Sequence, residues 1–255
     1  MGLDGRVALV TGGGRGIGRA IALALAGDGA AVAVNYRRDE DAAAETVAEI
    51  EKNGGRAAAY QASVDSLDDC QRMAEAVLAD FGHVDILVNN AGLASRGKSV
   101  VSTEPDEIHR LVATHAFGGF YLCHLLVEQM RSRPRGDVIF VSSQATTFMA
   151  GWSSPYNMAK AAQEALAMTL AKEEVRNGIR VNVVAPGLVA TEMGERLVKA
   201  TVGVDDIHDL DAAMPLGRVT APEDVAAVVR FLVSEEGGFV TGQRIGVDGG
   251  GMPQR

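Results

Sequence analysis

The chain has 255 residues, 47% of them hydrophobic and 22% charged, an ordinary composition for a soluble globular protein long enough to close a sizeable core. Lys plus Arg number 24 and Asp plus Glu 33, so the net charge is −9, which disfavours nucleic acid as a partner unless a local basic patch overrides it. Glycine is in excess, 30 of 255 or about 12% against a usual ~7%, while Pro numbers only 7; this excludes disorder and collagen and points to tight turns and close backbone approaches.

No apolar run reaches the roughly 18 residues that span a bilayer. The start Met1-Gly2-Leu3-Asp4-Gly5-Arg6 lacks the basic-then-apolar order of a signal peptide. Cys70 and Cys123 form no Cys-x-x-Cys pair, which fits a reducing compartment. The expectation is a cytoplasmic protein with no membrane or nucleic-acid partner. His83, His109, His115, His124 and His208 show no zinc-site spacing, so no metal is expected.

The first strand is expected over Val7–Thr11 and the first helix over Ile17–Gly27. Between them lies Thr11-Gly12-Gly13-Gly14-Arg15-Gly16-Ile17-Gly18. Such a loop turns tightly, brings backbone N–H groups close to a pyrophosphate and aims the positive end of the helix at it. Gly12, Gly16 and Gly18 fit that role best, at a wider spacing than Gly-x-Gly-x-x-Gly. A second strand, Ala31–Asn35, ends at Tyr36-Arg37-Arg38, with no acid before Asp39. An acid there binds a ribose 2′-hydroxyl, whereas arginine accommodates a 2′-phosphate. Arg37, Arg38 and Arg15 therefore favour NADP, with NAD as the alternative.

A helix over Asp39–Asn53 leads to a strand over Arg56–Gln61, then Ala62-Ser63-Val64, a helix over Leu67–Phe81 and a strand over Val84–Asn89. One long helix is expected over Pro105–Arg131 and a strand over Asp137–Ser142. Ser143 ends that strand, on the carboxyl edge where open α/β sheets bind ligands. The helix Pro155–Asn177 begins with Tyr156 and carries Lys160 one turn on, on the same face. A nearby ammonium favours a phenolate, so the Tyr156 pKa is expected below its usual value near 10. Beyond a strand over Ile179–Ala185, the long connection Leu188–Met214 reads as a substrate lid or as a helical insertion packed on the body. A helix over Pro222–Val233 and a strand over Arg244–Val247 complete the order. Near-continuous apolar strands alternating with helices predict a single Rossmann-type α/β domain over 1–255, doubly wound, with a mostly parallel seven-stranded sheet.

With these motifs in order, the chain resembles the short-chain dehydrogenase/reductase family over nearly its whole length. The matching residues are Thr11-Gly12…Gly16-Ile17-Gly18, Asn89-Asn90-Ala91-Gly92, Ser143, Tyr156…Lys160, Pro186-Gly187 with Thr191, and Thr241-Gly242-Gln243…Asp248-Gly249-Gly250. It is most similar to the 3-oxoacyl-thioester reductases and the sugar or alcohol dehydrogenases. The resemblance implies that Tyr156 donates a proton to a carbonyl oxygen, Ser143 hydrogen-bonds that oxygen, and Lys160 holds the nicotinamide ribose and lowers the Tyr156 pKa. It also implies that Asn90, Ala91 and Gly92 flank the adenosine ribose, and Pro186, Gly187, Val189 and Thr191 the nicotinamide.

Two positions depart from the family. His115 stands where the family has a relay asparagine. Either it keeps the relay and titrates near neutrality, or it is a packed helix histidine. Ser63, before Val64, replaces an aspartate that contacts adenine. Substrate contacts are expected from Leu93–Arg96, from Gln144, Phe148 and Trp152, and from the lid; Trp152 also reads as a core or subunit contact. Arg131, Arg133 and Arg135, with Arg176, suggest a patch for an acyl carrier protein or CoA thioester, or a solvated turn. The partner expected otherwise is a small carbonyl or alcohol, and the resemblance implies a homotetramer. A non-catalytic dinucleotide-binding redox sensor is the rival reading, against which the Ser143, Tyr156 and Lys160 set argues.

Overall fold

A computed structural model describes residues 2–251 of the chain. In chain order the elements are β1 (Val7–Val10), α1 (Gly16–Gly27), β2 (Ala31–Tyr36), α2 (Glu40–Lys52), β3 (Ala57–Gln61), α3 (Leu67–Phe81) and β4 (Ile86–Asn89). The second half adds α4 (Pro105–Val112), α5 (Gly118–Met130), β5 (Gly136–Val141), α6 (Ala145–Phe148), α7 (Ser154–Glu174), β6 (Ile179–Pro186), α8 (Glu192–Thr201), α9 (Pro222–Val233) and β7 (Arg244–Val247). The strands form one sheet in the order β3-β2-β1-β4-β5-β6-β7, with every neighbouring pair parallel.

The strands are mostly apolar because both faces of the sheet are covered. Side chains alternate between faces with the period of two that the pleat imposes. Val7, Leu9, Leu87 and Phe140 enter one core layer beneath α3, α5 and α7. Ala8, Val10, Val88 and Ile139 enter the other, against α1 and α9. Phe140 and Ile139 are 0% and 1% exposed, so the two layers are dry on both sides of a central strand. Each such side chain contributes about 1.5–3 kcal/mol relative to exposure.

Strand order reverses at β1, whose neighbours are β2 on one side and β4 on the other. The loops leaving the carboxyl ends of β1 and β4 diverge there, opening the crevice in which α/β sheets bind ligands.

One expectation changes, and one of two alternatives is met. The long helix expected over Pro105–Arg131 is interrupted by a π-helical turn, Ala113–Phe117, between α4 and α5. That extra residue per turn rotates His115 into the interior. Pro105–Met130 is apolar and long enough to cross a membrane by length and composition, yet 56% of its most apolar stretch is buried inside the fold. The 188–214 connection is helical: α8 and a 3-10 turn, Ile207–Ala213, fold on a small core of Val198, Ile207 and Val219.

Three of the four arginines of the basic patch are held in ion pairs. Arg131 makes a two-bond fork to Glu174 at 2.5 and 2.9 Å. Arg133 pairs with Asp85 at 2.8 Å, and Arg135 with Asp137 at 3.0 Å. Arg6 and Arg180 also meet Asp137, at 2.7 and 2.5 Å. Arg131, Arg133 and Arg135 thus neutralise carboxylates buried at the amino edge of the sheet, while Arg176 is exposed beside them.

Candidate active site

Thr11 organises the crevice. Its hydroxyl donates to the Val88 carbonyl at 3.1 Å and accepts from the N–H groups of Asn90 and Ala91, both at 2.9 Å. The Asn90 amide returns a bond to the Thr11 carbonyl at 2.8 Å. The β1 and β4 loops are thereby locked together. Gly12 has φ +61°, a left-handed conformation open to glycine at little cost. A Cβ on Gly18 would collide with the Gly12 carbonyl and sit 2.5 Å from the Asn90 amide, so α1 can start this close only with glycine there. The first turn of α1 has no side-chain cap at Arg15, and its N–H groups remain available to an anion.

Asn35 is a residue that sequence reasoning missed. It is 2% exposed at the end of β2. Its side-chain Oδ1 accepts from Gly12 N–H at 3.2 Å, and its side-chain amide donates to the Tyr60 and Ala62 carbonyls at 3.2 and 3.1 Å. It thus ties the glycine loop to β3. Beyond it Tyr36 is partly buried, while Arg37 and Arg38 are exposed at the same corner. Arg15 reaches Glu192 of α8 at 3.1 Å and Asp39 at 3.9 Å. The Ser63 hydroxyl donates to Asp65 at 2.5 Å, and Val64 is buried.

Ser143 lies two residues past the end of β5, and Tyr156 stands in the first turn of α7, so the two meet at the carboxyl edge of the sheet, close enough for Ser143 to favour the Tyr156 phenolate. The Ser143 Oγ also accepts from Ala145 N–H at 3.1 Å. Lys160, 3% exposed, donates to the Val141 carbonyl at 2.6 Å and to Gln163 Oε1 at 3.2 Å. Its Nζ lies 5.9 Å from the Tyr156 ring centre. The expected lowering of the Tyr156 pKa is not found. Burial raises it, and the neighbouring Ser143 hydroxyl works in the opposite direction. Burial also pushes the Lys160 ammonium down to about 7, with Glu164 opposing that fall. Desolvation therefore outweighs the cation–phenol pairing that spacing alone suggests.

His115 is 1% exposed, its ring edge-on to Tyr156 with centres 5.4 Å apart. Nε2 lies 2.9 Å from the Leu93 carbonyl oxygen and 3.2 Å from the Leu93 N–H, so each tautomer satisfies one of them. Nδ1 is buried without a partner. Burial, reinforced by Lys160, pushes the ring down to about 3, so the expected titration near neutrality is absent. A Cβ on Gly92 would meet the imidazole at 2.6 Å, which explains the glycine. Beside the ring is a cavity of about 10 Å³ lined in part by Thr11, Asn89, His115 and Gln163. It is about the size of one water.

The opposite wall is formed by the end of β6 and residues 187–191. Gly187 N–H donates to the Val247 carbonyl at 3.0 Å, and Val189 is buried beside Thr220. Thr191 caps α8 by accepting from Gly194 N–H at 3.2 Å, and its methyl faces Gly16. The 188–214 segment thus starts against the glycine loop. Gln144 N–H donates to the Pro186 carbonyl at 2.8 Å. Phe148, Met149 and Trp152 stand at the rim, 48%, 53% and 68% exposed. Met149 and Trp152 have φ +48° and +58°, and among the described residues no other non-glycine is left-handed. Such strain gathers at ligand-contacting segments. Trp152 does not belong to the core.

Comparison with known proteins extends the match over the chain. A family model described as Enoyl-(Acyl carrier protein) reductase matches residues 12–251. The 3-oxoacyl-[acyl-carrier-protein] reductase of Synechocystis sp. is 36% identical, the match covering 97% of each chain. The tetrahydroxynaphthalene reductase of Pyricularia oryzae is 38% identical, over 97% of this chain and 90% of that one. A crystal structure of a short chain dehydrogenase from Burkholderia cenocepacia in complex with NADP superposes with a TM-score of 0.87 at 33% identity, over 97% of this chain and 98% of the other. The sheet order, the glycine loop at its switch point and full-length identities above 30% all lead to one conclusion: the chain belongs to the short-chain dehydrogenase/reductase family and is an oxidoreductase.

Proposed function

We propose that the protein reduces a ketone to a secondary alcohol with NADPH, at a site made by Ser143, Tyr156 and Lys160. The observation that carries this reading is the convergence of Ser143 and Tyr156 at the carboxyl edge of the sheet, with the buried Lys160 one helical turn beyond Tyr156 and its Nζ 5.9 Å from the Tyr156 ring centre, in a crevice that also holds the glycine loop. The residues fit the cofactor. Gly12, Gly14, Gly16 and Gly18 clear the backbone for a pyrophosphate, and the uncapped start of α1, with Arg15 and Ile17, receives its charge. Arg15, Arg37 and Arg38, with Tyr36 beside them, take the 2′-phosphate, in keeping with the NADP held by the Burkholderia relative. Asn90, Ala91, Gly92 and Val64 line the adenosine side, and Pro186, Gly187, Val189 and Thr191 the nicotinamide side. NADPH supplies the hydride when bound.

Each protein group then has one task. Tyr156, raised by burial, is protonated at neutral pH and can deliver its proton to a carbonyl oxygen as charge develops there. Ser143 donates a second hydrogen bond to that oxygen. Lys160 holds the cofactor ribose and, when charged, favours loss of the Tyr156 proton. His115 remains neutral and orients the Leu93 backbone, while the adjacent cavity seats one water of a relay.

The substrate is proposed to be a 3-oxoacyl thioester, as the name of the Synechocystis relative suggests. The exposed Phe148, Met149 and Trp152 rim favours, as second reading, a flat cyclic ketone of the kind named for the Pyricularia relative. The free, buried Cys70 and Cys123 suit a reducing compartment such as the cytoplasm. Exposed Phe117, Phe120 and Met158 on α5 and its flanking π turn and on α7 support helix pairing between copies in a homotetramer. NADPH oxidation against oxoacyl thioesters, cyclic ketones and keto-sugars tests the reading. Turnover of at least one class is expected; tight NADPH binding with no turnover of any would instead make the protein a redox sensor.

A further inference from the structure

Glu164 lies one turn beyond Lys160 on α7, and Arg244 opens β7, opposite Val183 of β6. Neither belongs to the residues assigned above. One oxygen of Glu164 accepts from the Ser142 hydroxyl at 2.6 Å, the Thr146 hydroxyl at 2.8 Å and Arg244 Nε at 3.0 Å. Arg244 Nη2 donates to the Ser143 carbonyl at 3.1 Å, to Thr146 Oγ1 at 2.9 Å and to Gln144 Oε1 at 3.3 Å. The Gln144 amide nitrogen abuts Gly246, within reach of where a Cβ on that residue would stand. Side-chain exposures of 17% for Glu164 and 26% for Arg244 shelter the pair from much of the screening that weakens surface ion pairs.

We propose that the Arg244–Glu164 pair is a positioning brace for Ser143 and Gln144, setting the hydroxyl that receives the substrate carbonyl and the first side chain of the substrate wall. An ion pair that served stability alone would join α7 to β7. This one spends its remaining donors on the Ser143 carbonyl and the residues just after it. The guanidinium fork suits the task because one planar group reaches a carboxylate and two other oxygens together. Glu164 has a second effect. Lys160 is faced by Tyr156, Gln163 and Glu164 from its own helix, by His115 from the π turn and by the Val141 carbonyl from β5, with Arg244 beyond Glu164. Glu164 is the anion of that set, and it supports the charge of Lys160.

The inference rests on the reductase reading, so the experiment has one arm that needs no turnover. Amide hydrogen exchange over Ala145–Met149 is compared between the wild-type chain and Arg244→Met, each with NADPH added, with melting temperature and NADPH affinity as controls for folding. Faster exchange in that segment, with NADPH affinity within about twofold, is expected. In steady-state assays Arg244→Met lowers kcat for the ketone by about 10- to 100-fold. Arg244→Lys, whose ammonium cannot span Glu164 and the Ser143 carbonyl together, falls between the two and remains the test if Arg244→Met fails to fold. Glu164→Gln keeps the acceptor oxygen and removes the charge, so the alkaline limb of its kcat/KM profile moves to lower pH by roughly half a unit or more; Arg244→Met leaves that limb no lower than wild type. Wild-type exchange over Ala145–Met149 together with wild-type kcat in Arg244→Met would overturn the brace. If the wild-type chain turns over no ketone, the reductase reading fails, and the exchange arm still decides the brace.

Discussion

Lys160 and His115 are the titratable groups nearest the Tyr156 phenol, and burial moves both downward. The consequences differ in sign and in window. Lys160 acts as a cation, and its pKa falls to about 7. Because kcat/KM reports the free enzyme, ketone reduction is expected to lose kcat/KM as pH rises through about 7 and the ammonium discharges. A profile flat from pH 6 to 9 would contradict this. His115 is already neutral above about 3, so it adds no limb near 6.5. His115→Asn therefore keeps the wild-type profile shape between pH 5.5 and 7.5, whatever it does to the rate. The Tyr156–Lys160 pair is legible in sequence because i and i+4 share a helix face. The direction of the Tyr156 pKa is not, because it depends on how deeply α7 sits against β5. Asn35 is illegible for the same reason: its partners lie in the glycine loop and β3, far along the chain.

At the scale of elements, strands and most helices arise directly from apolar runs and turn residues. The one departure, and the one choice left open, lie where tertiary contacts decide. The π turn in Pro105–Met130 leaves no mark in the helical periodicity, because what it positions, the contact of His115 with the Leu93 backbone, is tertiary. The 188–214 segment advertises its length, but its helices close on only a few apolar residues and lack a long amphipathic signal. Its first helix carries Glu192, which already pairs with Arg15. A 2′-phosphate must share Arg15 with that carboxylate. Glu192→Gln is therefore expected to tighten NADPH binding by about 2- to 5-fold, the scale of an exposed ion pair, while leaving NADH affinity unchanged. Equal effects on both cofactors in a fluorescence titration would place Arg15 away from the phosphate.

Across the whole molecule, the two edges of the sheet do different work. The carboxyl edge gathers the glycine loop, Ser143, Tyr156 and Lys160, while the amino edge is closed by arginines around Asp85 and Asp137. Arg131, Arg133 and Arg135 read in sequence as a basic surface because their partners, Glu174, Asp85 and Asp137, are distant or hidden in strands. Asp137→Asn, which leaves Arg6, Arg135 and Arg180 without their shared counter-charge, should cost about 3–5 kcal/mol. That corresponds to a melting temperature lower by roughly 10 °C, with NADPH affinity of the folded protein preserved. A change of under about 2 °C would show that the arginines find other partners. The composition agrees with this division: the acidic surface has exposed Arg37 and Arg38 at the end of β2, and the excess glycine includes the tightly packed Gly12 and Gly18 at the switch point, the positions proposed to receive the dinucleotide. The central claim concerns the carboxyl edge, and Tyr156→Phe addresses it most directly, because the substitution removes one hydroxyl and no bulk. Ketone reduction by NADPH, measured for wild type and Tyr156→Phe alongside NADPH affinity, should show kcat falling by about 100-fold or more with cofactor binding within about twofold. A Tyr156→Phe protein that reduces the same ketone at the wild-type rate would contradict the assignment of Tyr156 as the proton donor.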